Sequence, residues 1–211
     1  MPTAKSAATR ARILEAARFL LEEKSSQEIS LHDIATVAKS KPPLIVRYFR
    51  SKDSLIFQAI VFNLNTRGKE DLERHRSNGD LATYAALVHH LMQLDLGNNW
   101  RTRDLLSMMH RWTCEEEAAF AEAVSPRTTL ARALIAQEAE NRISPHMLDE
   151  VVALSTLVYA EELRLAMIRG TQPHEAAEAV IARTHRLVTA LSRFNDQHTP
   201  AQRSDDRKQR S

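Results

Sequence analysis

The sequence predicts an all-α chain: an N-terminal three-helix head of helix-turn-helix form, followed by a C-terminal helical bundle. Three observations carry this. Glycine is rare, with four in 211 residues, and runs of β-branched residues are few. Apolar residues recur at the three- and four-residue spacings of a helix face. Serine or proline stands where apolar-periodic stretches begin, and glycine where they end.

Residues 1–8 are small and polar and read as a disordered arm. A first helix is expected over 9–24, with Ile13, Ala16, Ala17, Leu20 and Leu21 on one face and Arg10, Arg12 and Arg18 largely off it. Ser30 has the chemistry of an N-cap, and Asp33 sits three residues on, where a capping box places its acid. Leu31, Ile34, Ala35 and Ala38 then form one face of a second helix, and the two alanines allow close crossing by another. Pro42 and Pro43 force Ser40 and Lys41 out of the helical region and open a third helix. Ile45 and Phe49 face its core, which leaves Lys41, Pro42, Val46 and Arg47 on another side. Ser51 caps a fourth helix, expected from Asp53 to Arg76, in which Gly68 marks a bend or an early end.

The domain reading that follows is a 1–8 arm, a 9–52 helix-turn-helix head, a 53–195 helical body joined to it by the fourth helix, and a polar 196–211 tail expected to be disordered. Within the body, helices are expected over 80–96, 100–123, 126–141, 145–169 and from Pro173 to about 195. Ser125-Pro126 and Ser144-Pro145 each look like a cap followed by a first-turn proline. Gly170 sits where a helix stop belongs.

Charge divides the chain. Residues 1–52 carry a net +5 and the remaining residues a net −3, within an overall +2. A basic head on a mildly acidic body suits binding to phosphate. The single cysteine, Cys114, excludes an intrachain disulfide framework and fits a reducing, cytoplasmic setting. No signal-peptide pattern and no membrane-spanning apolar run is seen. No P-loop, dinucleotide fingerprint or nucleophile elbow appears, so no catalytic residue and no cofactor are expected.

Thr9-Arg10, Ile13-Leu14, Ala16-Ala17, Ser30, Ile34-Ala35, Ala38, Tyr48-Phe49, Ser51-Lys52-Asp53 and Leu55 occur in an order that resembles the TetR family of transcriptional regulators. The resemblance covers roughly residues 9–60. It departs from the family at Lys39, where a glycine is usual, at Ser40, where an apolar residue is usual, and at Val46, which replaces a frequent tyrosine. What the resemblance implies is a dimeric, ligand-responsive repressor that binds a near-palindromic double-stranded operator. A small molecule would enter the body, shift the fourth helix and change the spacing of two recognition helices.

The candidate DNA contacts are His32, Lys41, Pro42, Pro43, Val46, Arg47, Tyr48 and Lys52. Arg47 has the geometry for a phosphate or a guanine edge, Lys41 and Lys52 suit phosphates, and Pro42, Pro43 and Val46 offer apolar surface to a thymine methyl. Trp100, Met108, Trp112 and Phe120 form an aromatic and methionine-rich stretch, read as core or as the lining of an effector pocket. Val151, Leu154 and Val158, with Val180, Leu187 and Leu191 on the last helix, make apolar stripes suited to core or to a homodimer interface. His89-His90, His110 and Cys114 lack the paired spacing of a structural zinc site, and no metal is expected. Two further readings remain from the sequence: a small helical enzyme or sensor built on the body pocket, without DNA binding, and a regulator that answers to a protein partner.

Overall fold

A computed structural model describes residues 4–97, 99–140 and 142–198, all helix, turn or loop with no strand among them. The chain packs as two compact units. The first comprises residues 1–75 and 98–126, and the second residues 76–97 and 127–211. Residues 1–3 of the expected arm and 199–211 of the expected tail lie outside the described residues.

The first unit holds α1 (Ala4–Leu20), α2 (Leu31–Val37), α3 (Pro42–Phe49) and α4 (Lys52–Asn63). Helix α1 starts before the expected position 9 and takes in part of the segment read as an arm. Its buried residues are the expected Ile13, Ala16 and Ala17, with Leu21 just beyond its end. They join Ile34, Ala35, Ala38, Ile45, Phe49, Leu55, Ile56 and Ala59 in one core. The small side chains of Ala16, Ala17, Ala35 and Ala38 let helix backbones approach closely, which is how so short a head closes a core.

Helix α4 packs with this unit, being in contact with α1 and α3 and with α7 (Asn99–Met108). Its regular turns end at Asn63, short of the expected Arg76. A π-helical turn over Leu64–Gly68 follows it and continues into α5 (Lys69–Ser77).

The second unit is built around α6 (Tyr84–Gly97), α9 (Pro145–Arg169) and α10 (Pro173–His198), which all pack on one another. Ser144 caps α9 through a bond from Met147 N, and Gly170 closes it at φ 71°, both as the sequence implies. The Ser125-Pro126 reading is overturned. Helix α8 runs unbroken over Cys114–Glu138, with Pro126 inside it. An interior proline removes the N–H that would reach the carbonyl four residues back, and its ring crowds that carbonyl. That carbonyl belongs to Glu122, an exposed residue. The proline instead marks where the chain passes from one unit to the other.

Candidate nucleic-acid interface and effector sites

The turn between α2 and α3 is built by backbone bonds. Ser40 N donates to Ala35 O at 2.8 Å and Lys39 N to Thr36 O at 3.1 Å. This is a Schellman closure of α2, which needs a left-handed residue just past the helix cap. Lys39 is that residue, at φ 46°. Arg12 of α1 adds a third tie, donating Nε to Ala38 O at 2.8 Å. The start of α2 is fixed as firmly. Ser30 Oγ accepts from Asp33 N at 3.1 Å, and Asp33 accepts from Ser30 N at 2.8 Å, a reciprocal capping box. The hydrogen bonds from the Ser30 side chain and then its backbone hold the Asp33 carboxyl below its ordinary value.

Helix α3 buries Ile45 and Phe49 and leaves Val46 and Arg47 exposed, with further exposed cations just before and after it. Lys39, Lys41, Pro43, Val46, Arg47 and Arg50 are all exposed, as is His32 on α2, while Pro42 and Tyr48 are half-buried. Val46 retains 45% exposure in mid-helix, flanked by cations. A cationic rim around a small apolar patch on a short helix is an arrangement suited to phosphates at the edges and base methyls at the centre. Sequence reading missed two members of this face, Lys39 and Arg50. Arg50 lies three and four residues after Arg47 and Val46, a spacing that signals a shared face.

Lys52 has another role than the free phosphate contact expected of it. Its ammonium donates to Ser26 O at 2.8 Å and Ile29 O at 3.0 Å, pinning the loop that leads into α2. The same loop is held from α7, where the buried Asp104 accepts from Ser26 N at 2.7 Å.

Met108 belongs to the core of the first unit, and Trp112 and Phe120 pack against it. The Phe57 and Trp112 rings meet edge-on at 4.9 Å and Trp112 and Phe120 at 5.1 Å, while Met108 is buried in the same cluster. Trp112 Nε1 is buried without a hydrogen-bond partner among the described residues. The side chain of Trp100 lies outside the described residues.

The apolar stripes divide. Val151 and Val180 are fully buried within a single chain, so the interface reading fails for both, since neither has area left to give to a partner. Helix packing inside the second unit has covered their faces. Val158, Leu187 and Leu191 are half-buried. Leu154 keeps 40% exposure, and Leu157 and Ile168, which the sequence reading passed over, keep 67% each. Inside the second unit a polar cluster forms. Arg127 Nη1 lies 3.1 Å from Asp95 Oδ2, and Tyr159 donates its hydroxyl to the same oxygen at 2.8 Å. Burial, and then the Asp95 charge, push the Tyr159 phenol well above its ordinary pKa.

The head's cationic reading helix, closed turn and capped second helix define a helix-turn-helix DNA-binding unit. Residues 13–59 match the family described as bacterial regulatory proteins, tetR family. The match falls on the head, from within α1 to within α4, and does not extend to the rest of the chain. Among solved structures it is similar to a tetR-family transcriptional regulator from Streptomyces coelicolor, at 19% identity and a TM-score of 0.51, covering 95% of this chain and 92% of that one. It is also similar to NalD of Pseudomonas aeruginosa, the secondary repressor of the MexAB-OprM multidrug efflux pump, at 20% identity and a TM-score of 0.49, covering 86% of this chain and 96% of that one. Among curated proteins nothing matches. No helix among the described residues is long and apolar enough to cross a membrane.

Proposed function

We propose that the protein is a dimeric, ligand-responsive repressor that reads a near-palindromic operator with α3. The observation that carries this is the α3 face, where Lys41, Val46, Arg47 and Arg50 are exposed together while Ile45 and Phe49 anchor the helix from behind. Arg47 reads a base edge or phosphate, Lys39, Lys41 and Arg50 hold phosphates, and Val46 and Pro43 supply the apolar contact. His32 and Tyr48 border the same face, and Pro42 sets its start. Pairing two heads by a two-fold axis presents two such helices to successive major grooves. Leu154, Leu157 and Ile168 on α9 are the apolar side chains most exposed for that pairing.

The effector contacts are Met108, Trp112 and Phe120 in the first unit's core, where Trp112 meets Phe57 of α4. A small molecule that displaced Trp112 from Phe57 would act directly on α4, the helix whose Lys52 holds the loop into α2. Such a ligand releases DNA only if its affinity differs between the two arrangements of the head.

DNA selection from a random duplex pool with the purified protein tests the reading. Enrichment of a near-palindrome supports it, and failure to enrich any sequence contradicts it.

A further inference from the structure

We propose that His89, His174 and Glu178 form a binding site for one divalent transition-metal ion, which clasps α10 to α6. His89 lies on α6, while His174 and Glu178 lie in the first turns of α10, four residues apart and hence on one face of that helix. The packing of α6 on α10 brings the three together. His89 Nε2 lies 3.0 Å from Glu178 Oε1, and the His89 and His174 rings stack at 4.9 Å with 14° between their planes. One ligand atom from each residue lies within 4.8 Å of the other two.

The donor set selects the ion. Two imidazole nitrogens and one carboxylate oxygen suit Zn2+, Ni2+, Co2+ or Cu2+, whereas Mg2+ and Ca2+ favour oxygen alone. Three protein ligands leave a coordination position for water. Tetrahedral bonds of about 2.0–2.1 Å set ligand atoms roughly 3.3 Å apart, and the His89–Glu178 pair at 3.0 Å already lies near that spacing. The two α10 side chains are exposed and His89 retains 30% side-chain exposure, so an ion has an open approach. The competing account is a plain histidine–glutamate hydrogen bond with a stacked second ring. It explains the 3.0 Å contact but gives His174 no role beyond stacking. Sequence spacing hid this set because His89 and His174 are far apart along the chain and only the α6–α10 packing joins them.

The site does not depend on the DNA-binding reading, and its test reads bound metal rather than bound DNA. Chelator-treated full-length protein is titrated with Zn2+ and, separately, with Mg2+ by calorimetry. The same is done for His89→Ala, His174→Ala, Glu178→Gln and the exposed control His146→Ala, with helicity checked by circular dichroism. His174→Gln replaces any alanine variant at that position that fails to fold. The expected result is one Zn2+ equivalent that raises the melting temperature, is weakened about tenfold or more in each ligand variant, persists in the control, and is not reproduced by Mg2+. The proposal is overturned if the parent binds no Zn2+, or if His174→Ala and His174→Gln bind it as the parent does.

Discussion

The backbone N–H of Ser40 reaches back to the carbonyl of Ala35 at 2.8 Å, and this bond forces Lys39 between them into the left-handed region at φ 46°. A lysine there pays a Cβ penalty that glycine avoids. Replacing Lys39 with glycine also loosens the unfolded chain, which offsets part of the gain. Lys39→Gly is expected to raise stability by about 0.5–1 kcal/mol in urea denaturation. The same change removes an exposed cation and is expected to weaken DNA binding. A rise in stability with a fall in affinity separates the two roles of this side chain.

Arg50 poses the same question at the other end of the reading helix. Ser51 N donates to Phe49 O at 2.8 Å, closing a γ-turn in which Arg50 sits at φ 67°, ψ −44°. This turn form is rare and strained. Arg50→Gly is expected to stabilise the fold by about 0.5–1 kcal/mol, whereas Arg50→Val is expected to destabilise it, since a β-branched residue tolerates positive φ least. Urea denaturation of the two variants beside the parent checks both signs.

The loop entering α2 is held twice, by Lys52 from α4 and by Asp104 from α7. Asp104→Ala leaves the Ser26 N–H without its acceptor in a part-buried setting and is expected to cost about 1 kcal/mol or more. Lys52→Met is expected to cost a similar amount, about 1–3 kcal/mol, by freeing the carbonyls of Ser26 and Ile29. Amide hydrogen exchange at Ser26 should quicken in Asp104→Ala. An unchanged Ser26 exchange rate would remove Asp104 from this role.

Tyr159 gives the second unit a pH signature. Its phenol is raised well above the ordinary 10.0 by burial and by Asp95, so the folded state favours the neutral form. The sign follows from linkage: the contribution is fully present below the unfolded pKa of about 10 and drains away as pH rises through the folded value. Stability should therefore fall above about pH 10, and fall less steeply in Tyr159→Phe. That variant should also cost about 1 kcal/mol near neutrality by removing the hydrogen bond to Asp95.

Much of the head was legible in the sequence because its signals are local. Ser30 with Asp33, the paired prolines and the Ile45–Phe49 spacing act within one or two turns, and each fixed the element it marked. Lys52 misled because a lysine at a helix start looks free until the carbonyls of Ser26 and Ile29 are placed beside it. Pro126 misled because a serine–proline pair reads the same at a helix start and inside a long helix. The stripes on α9 and α10 announced apolar faces but not what covers them, and Val151 and Val180 proved to be covered by their own chain. The His89–His174 pairing had no sequence signal, since only helix packing brings the two rings together.

The most direct test of the central claim is the salt dependence of duplex binding, on the selected sequence, for the parent and for a Lys41→Ala, Arg47→Ala double variant. Parent affinity is expected to fall steeply with salt, and the variant to bind more weakly, with a slope shallower by about 1 for each phosphate it no longer holds. Equal affinity and equal slope in the two proteins would contradict a DNA-reading role for α3.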